Sequence, residues 1–131
     1  MANRYSFEFF PPKTEAGREK LVATRNELNS LAPDFFSVTY GAGGSTRDNT
    51  RGIVLDAKAA GIDVAPHLSF GGDEEEEVLA LVEQYRQAGV RRIVALRGDI
   101  PSGMGATRLV YARELVEFIR KHTGDHFELA V

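Results

Sequence analysis

Apolar residues along the 131-residue chain follow two alternating periods. Short runs rich in aromatic and β-branched residues begin near residues 5, 35, 62, 92 and 127, and each run is typical of a strand. Between consecutive runs, apolar residues recur three and four positions apart, as on one face of a helix. The pattern therefore predicts four βα units followed by a fifth strand.

The expected helix ends follow from capping chemistry. The first helix should open at Thr14, and the second should be capped by Asp48 or Asn49 and end at Gly61. Acidic residues 73–77 suit the positive end of the third helix dipole. The predicted inward-facing residues are Leu21, Thr24, Leu28 and Leu31; Ile53, Val54, Ala57 and Ala60; Val78, Leu81, Val82 and Tyr85; and Tyr111, Leu115, Phe118 and Ile119.

Pro66 interrupts the third predicted strand, residues 62–68. Proline has no N–H to donate and is unfavourable in the middle of a sheet. We therefore expect Pro66 at the exit of this strand, with His67 at the strand end.

The spacing of the βα units predicts a (β/α)8 barrel of the TIM type, which takes about 250 residues when complete. Residues 1–131 would then form the amino-terminal half of a single barrel domain. A complete five-stranded, flavodoxin-like sheet is the alternative. Ser6 and Glu8 favour the barrel, because a doubly wound sheet would bury both faces of their strand, and no helix follows the fifth strand.

Composition narrows the class of protein. The chain is 43% hydrophobic and 27% charged, as expected for a soluble globular domain. A net charge of -3 with scattered basic residues argues against nucleic acid or an anionic membrane as a partner. The absence of cysteine excludes disulfides and thiolate zinc, and neither HxH, HExxH nor a carboxylate cluster predicts a metal. With no leader and no membrane-length apolar run, we expect a cytoplasmic protein.

Three glycines, Gly41, Gly43 and Gly44, follow the strand predicted at residues 35–39. They could form a loop whose N–H groups face a ligand, or a flexible connection without function. Their spacing matches neither a dinucleotide fingerprint nor a P-loop, so it leaves both interpretations open.

Residues that break the strand pattern lie late in strands or just after them. Glu8 stands between Phe7 and Phe9, and Thr39, His67 and the run 97–99 follow other strands. In a parallel barrel these ends form one rim, which carries the active site. A carboxylate, an imidazole and an arginine–aspartate pair on that rim predict a site for a polar, partly anionic organic molecule.

Four motifs resemble those of the methylenetetrahydrofolate reductase family in order and spacing. They are SFEFFPPK at 6–13, SVTYGAGGSTRD at 37–48, PHL at 66–68 and LRGDIP at 96–101. The resemblance implies a barrel that contains FAD. It also implies transfer of a hydride from NADH or NADPH through the flavin to 5,10-methylenetetrahydrofolate, giving 5-methyltetrahydrofolate in one-carbon and methionine metabolism.

The resemblance also assigns roles to individual positions. Glu8 matches the family's general acid, Thr39 lies near the reacting edge of the flavin, and Asp99 lies near its pyrimidine end. Glu8, Thr39 and Asp99 are also expected at the folate. The full set of expected flavin contacts is Thr39, Tyr40, Ala42, His67, Arg97, Gly98 and Asp99, with Tyr111 and Ala112 matching through a less defined motif.

The family continues beyond the position of Val131 with a second half-barrel that supplies further contacts to FAD, folate and nicotinamide. Two other hypotheses therefore stay open. The chain could be a truncated, non-catalytic folding or assembly fragment, or a flavin-free barrel that binds a pterin or a phosphorylated ligand. Because unpaired strand edges recruit partners, we expect a homo-oligomer.

Overall fold

The computed structural model describes residues 4–39, 44–69, 75–96 and 111–131. Strands and helices alternate through these ranges, as predicted, and none of the described helices is long and apolar enough to cross a membrane. The elements are β1 (Ser6–Phe9), α1 (Glu15–Asn29), β2 (Phe35–Val38), α2 (Gly44–Ala59), β3 (Val64–Leu68), α3 (Glu75–Gln87), β4 (Arg92–Ala95), α4 (Ala112–Thr123) and β5 (Glu128–Ala130).

The five strands form one parallel sheet in the order β1-β2-β3-β4-β5. A flavodoxin-like sheet has the order 2-1-3-4-5, because its chain reverses direction after the first unit. That alternative is therefore wrong. In the described sheet, the chain always advances to the next strand in the same direction, which leaves β1 and β5 as the two edges.

The two faces of the sheet differ in what covers them. One face is apolar, and Phe36, Val64 and Ile93 lie there in one buried cluster with residues of all four helices. The register places the alternate residues on the opposite face, which we call the open face. Its members are Ser6, Glu8, Phe35, Ser37, Ala65, His67, Arg92, Val94, Glu128 and Ala130.

Most of the predicted helix ends and inward stripes are confirmed. Thr14 caps α1, its Oγ1 accepting a hydrogen bond of 3.0 Å from the N–H of Gly17. Gly61 and Gly89 follow α2 and α3 with φ of 79° and 88°, which a glycine adopts without steric penalty. All four inward residues predicted for α3 are buried.

The prediction that the outermost residue of each stripe is buried is wrong for three helices. Leu31 is 55% exposed and Tyr111 is 57% exposed, and Ala60 is exposed as well. Each lies beyond the end of its helix, where the backbone has left the helical path and the stripe no longer faces the sheet. Arg25, which the apolar pattern does not mark, is buried instead and makes a 3.1 Å ion pair with Asp56.

The start of α2 was also predicted wrongly. The helix begins at Gly44, so Gly44 belongs to the helix, and Asp48 lies inside it. Asp48 is not a cap but forms a surface ion pair with Arg51, one turn along, at 3.3 Å. An aspartate suits both a cap and such a pair, and the sequence alone does not separate the two roles.

Pro66 lies inside β3, not at its exit as predicted. Its partner in β2 is Val38, the last pair of that ladder, and the ladder with β4 begins at His67. The residue without an N–H therefore falls where β3 changes from one neighbour to the other. This position explains how the strand tolerates a buried proline.

Candidate active site

Glu8 and His67 meet on the open face near the carboxyl ends of their strands. Glu8 Oε1 lies 3.2 Å from His67 Nε2, although β2 separates the two strands that carry them. Ser37 of β2 is level with Glu8 in the sheet and is only 6% exposed. Because the side chain at this crossing is small, the carboxylate reaches over β2 to the imidazole.

The two side chains of this pair differ in hydration. The His67 side chain is 11% exposed, whereas that of Glu8 is 52% exposed. Burial lowers the pKa of His67 from its usual 6.5, and the nearby Glu8 carboxylate only partly opposes this shift. The imidazole is therefore uncharged at neutral pH, with its Nε2 close to the carboxylate.

Thr39 directly follows β2 and is held through both of its backbone polar groups. Its N–H donates to the carbonyl of Phe9 at 2.9 Å, and its carbonyl accepts from the Thr50 hydroxyl at 2.8 Å. Two positions after Ser37 in an extended chain, Thr39 falls on the same side of the sheet. The structure thus brings Glu8, Thr39 and His67 to one edge.

Sequence reasoning missed Thr50, which is fully buried on α2. Its spacing carries a usable signal, because Thr50, Ile53, Val54 and Ala57 occupy positions three and four apart on one helix face. A hydroxyl at the first position of an otherwise apolar stripe indicates a buried polar contact.

The remaining predicted residues fall into two groups. Tyr111 directly precedes α4, and the half-buried Ala112 is the first residue of that helix. The helix runs into β5, so its amino-terminal end lies towards the carboxyl edge of the parallel sheet. Tyr40, Ala42, Arg97, Gly98 and Asp99 lie outside the described residues.

The amino edge of the open face carries a different cluster. The Arg92 guanidinium lies 2.9 Å from Glu128 and 3.3 Å from Asp63, and stacks over the Phe35 ring at 4.9 Å. We call Asp63, Arg92, Glu128 and Phe35 the amino-edge cluster. Among the residues that the structure describes, no group of three or more His, Cys, Asp or Glu side chains could hold a metal ion.

The strands form a parallel sheet that is wound in one direction. Helices cover one face, and a titratable pair lies at the carboxyl edge of the other face. Together these features define a class of protein. It is the α/β class whose ligands bind beyond the carboxyl ends of the strands. Sequence comparison narrows the class further, because the profile of the family described as "Methylenetetrahydrofolate reductase" matches residues 2–131. The chain belongs to this family.

Several curated relatives share the sequence. "5,10-methylenetetrahydrofolate reductase" of Pectobacterium carotovorum subsp. carotovorum is 42% identical over 127 residues, covering 96% of this chain and 42% of the relative. The protein of the same name from Escherichia coli (strain K12) is 41% identical over 117 residues, covering 88% and 39%. "Methylenetetrahydrofolate reductase (NADH) 1" of Arabidopsis thaliana is 38% identical over 133 residues, covering 97% and 22%. The chain thus spans less than half of the length of these relatives.

Proposed function

We propose that residues 1–131 supply the amino-terminal half of a flavin-binding (β/α)8 barrel domain. The barrel would reduce 5,10-methylenetetrahydrofolate to 5-methyltetrahydrofolate with NADH or NADPH. Family membership and the names of the relatives support the reaction. The observation that carries the proposal is the Glu8–His67 contact of 3.2 Å at the carboxyl edge of a face that no described helix covers.

Closure into a barrel is supported by the strand order and by the one-sided helix layer. A (β/α)8 barrel has sequential parallel strands, helices outside and side chains inside. The open face would be the barrel interior, and a second set of strands would pair with β1 and β5. The mixture of polar and small residues on this face, including Ser37 and Ala65, fits an interior that borders a ligand site.

The residues at the carboxyl edge fit FAD as the cofactor. Ser37 and Ala65 are small residues on the same face as the Glu8–His67 pair, and Thr39 and His67 would offer a hydroxyl and an imidazole to a polar ring system. When bound, the flavin would accept a hydride from the nicotinamide and pass it to the folate. Thr39, directly after β2, and His67 of β3 would help to hold it.

Glu8 is proposed as the proton donor, which its carboxylate becomes by taking up a proton from solvent before the folate ring opens. Reduction of the methylene group requires the five-membered ring of the folate to open, and the departing nitrogen must take up a proton. The Glu8 side chain is half exposed at the edge of the open face, where a substrate nitrogen could approach. Its neighbour His67 is uncharged, so no full positive charge locks the carboxylate in an ion pair.

Further contacts are proposed for the other residues that match family motifs, some of which lie outside the described residues. Tyr40, Ala42, Arg97 and Gly98 would contact the flavin, and Asp99 would contact both the flavin and the folate. Tyr111 and Ala112, at the start of α4, would add flavin contacts.

The protein is also proposed to form a homo-oligomer. Within the described sheet, β1 and β5 each have one strand neighbour, so each has an edge open to pairing. Sedimentation velocity of the 131-residue chain by itself, in which no second half-barrel covers these edges, should give a mass at a multiple of the chain mass, and a monomer at all concentrations would contradict this.

Purification of the complete gene product tests the proposed reaction. The protein should be yellow, should be bleached by NADH or NADPH without oxygen, and should regain its colour on addition of 5,10-methylenetetrahydrofolate. Chromatography should then detect 5-methyltetrahydrofolate. A colourless protein that FAD does not reconstitute would overturn the proposal, and stabilisation of such a protein by a folate alone would favour a flavin-free pterin-binding barrel.

A further inference from the structure

One side-chain hydrogen bond joins α2 to the residue that directly follows β2. The Thr50 hydroxyl, on the second turn of α2, donates to the carbonyl of Thr39, the residue directly after β2. The two residues are eleven positions apart. This bond joins the strand end and the helix across the intervening residues.

Thr50 is an unusual choice for its position. It is fully buried and begins the apolar stripe that continues through Ile53 and Val54, where an alanine or valine would satisfy the packing. A buried hydroxyl without a partner is unfavourable, and threonine is a weaker helix former than alanine. The hydrogen bond to Thr39 offsets both penalties.

The bond completes the immobilisation of Thr39. The Phe9 carbonyl holds its N–H from β1, and Thr50 holds its carbonyl from α2. With both polar groups engaged, the backbone of Thr39 has a defined place at the carboxyl edge, which also carries His67. A residue at a reacting centre must be held to about 0.5 Å by such supporting contacts.

We propose that Thr50 is a positioning residue for the flavin site, acting through Thr39 without touching the ligand. The inference rests on the proposed function, in which Thr39 contacts the flavin. Thr50 has no part in the proposed chemistry. Its hydroxyl instead sets where the Thr39 hydroxyl stands.

Three variants of the complete gene product test this role. Thr50→Val removes the hydroxyl with little change of shape, and Thr50→Ser keeps the hydroxyl. Thr123→Val is a matched control, because the Thr123 hydroxyl makes a comparable 2.7 Å bond to the Ile119 carbonyl in α4. The measurements are the Kd for FAD, the rate of flavin reduction by NADH at saturating FAD, and thermal unfolding of each apoprotein.

Thr50→Val should raise the Kd for FAD about tenfold, as expected for the loss of one buried hydrogen bond. It should also slow flavin reduction at saturating FAD, since small misplacements at a reacting centre lower rates by up to about 10²-fold. Thr50→Ser should restore both values, and Thr123→Val should lower the melting temperature without changing either.

Two results would overturn the inference. If Thr50→Val and Thr123→Val lower thermal stability alike and both leave FAD binding and reduction unchanged, Thr50 has only a packing role. If Thr50→Ser fails to restore the parent values, the hydroxyl is not the group that matters. Failure of the parent protein to bind FAD is a separate outcome, which rejects the proposed function and the inference together.

Discussion

The two edges of the sheet hold their charged residues in different ways. At the amino edge, Arg92 is paired with Asp63 and Glu128, and Arg4 is paired with Asp34 at 3.1 Å. At the carboxyl edge, Glu8 contacts the imidazole of His67, which burial keeps uncharged at neutral pH.

This difference separates a stabilising arrangement from a reactive one. Arginine keeps its charge at all accessible pH values, so the amino-edge cluster makes fixed ion pairs and no proton moves within it. The Glu8 carboxylate, by contrast, lies beside an imidazole that takes up a proton only as the pH falls below neutral. The comparison predicts chemistry at the carboxyl edge and stability at the amino edge, as in parallel barrels generally.

The largest effect is expected from Glu8→Gln in the complete gene product. The amide keeps the shape of the side chain but cannot act as the proposed proton donor in opening of the folate ring. Recovery of flavin colour on adding 5,10-methylenetetrahydrofolate should slow by about 10²-fold or more, while flavin reduction by NADH stays near normal. Stopped-flow absorbance of the two half-reactions measures this directly.

Glu128→Gln is the matched control, since Glu128 lies on the same open face at the amino edge. It should leave both half-reactions unchanged. Equal losses in both half-reactions of Glu8→Gln would indicate a structural role for Glu8, and an unimpaired folate half-reaction would exclude it as the acid.

A smaller effect, on stability alone, is expected from Arg92→Met. The substitution removes two partly exposed ion pairs and the stacking on Phe35, but retains an apolar stem of similar length. The free energy of unfolding should fall by about 1–2 kcal/mol, because each exposed pair and each cation–π contact contributes about 0.2–1 kcal/mol. Urea unfolding of the apoprotein measures the change.

Arg86→Met provides the comparison for Arg92→Met. Arg86 makes an exposed pair with Glu83 within α3, so its removal should lower the free energy of unfolding by clearly less than Arg92→Met does. If Arg92→Met is equally harmless, or if it weakens FAD binding at unchanged stability, the assignment of the amino edge to stability is wrong.

The smallest effect concerns the pH dependence of stability. The pKa of His67 is lowered in the folded state, so below about pH 6.5 the unfolded chain binds a proton that the folded chain does not. His67 therefore makes the free energy of unfolding fall as the pH drops from 6.5 towards the folded-state pKa. His67→Gln should flatten this part of the profile, measured by urea unfolding between pH 5 and 8.

Glu8→Gln should steepen the pH dependence of the free energy of unfolding, whereas His67→Gln flattens it. The Glu8 carboxylate raises the pKa of His67, in partial opposition to burial. Without that carboxylate the pKa of His67 falls further, and stability should decline more steeply below pH 6.5. A flatter profile in Glu8→Gln would show that the Glu8 carboxylate does not raise the pKa of His67.

The sequence by itself determined the alternation of strands and helices and the residues near the site. Local chemistry was sufficient for these features. The three-and-four spacing identified the buried face of α3, positive φ required the glycines at 61 and 89, and irregular residues marked Glu8 and His67 at strand ends. The family motifs were likewise readable, because they are continuous segments.

Only the tertiary structure decided which of these residues touch. The reach of Glu8 over Ser37 to His67 depends on strand order and register, which bring together residues far apart in the chain. The same applies to Thr50 and Thr39, and to Pro66, whose place inside β3 depends on where the strand exchanges neighbours. Periodicity specifies which side of its own element a residue faces. The partner across the sheet is set by the packing of all the elements together.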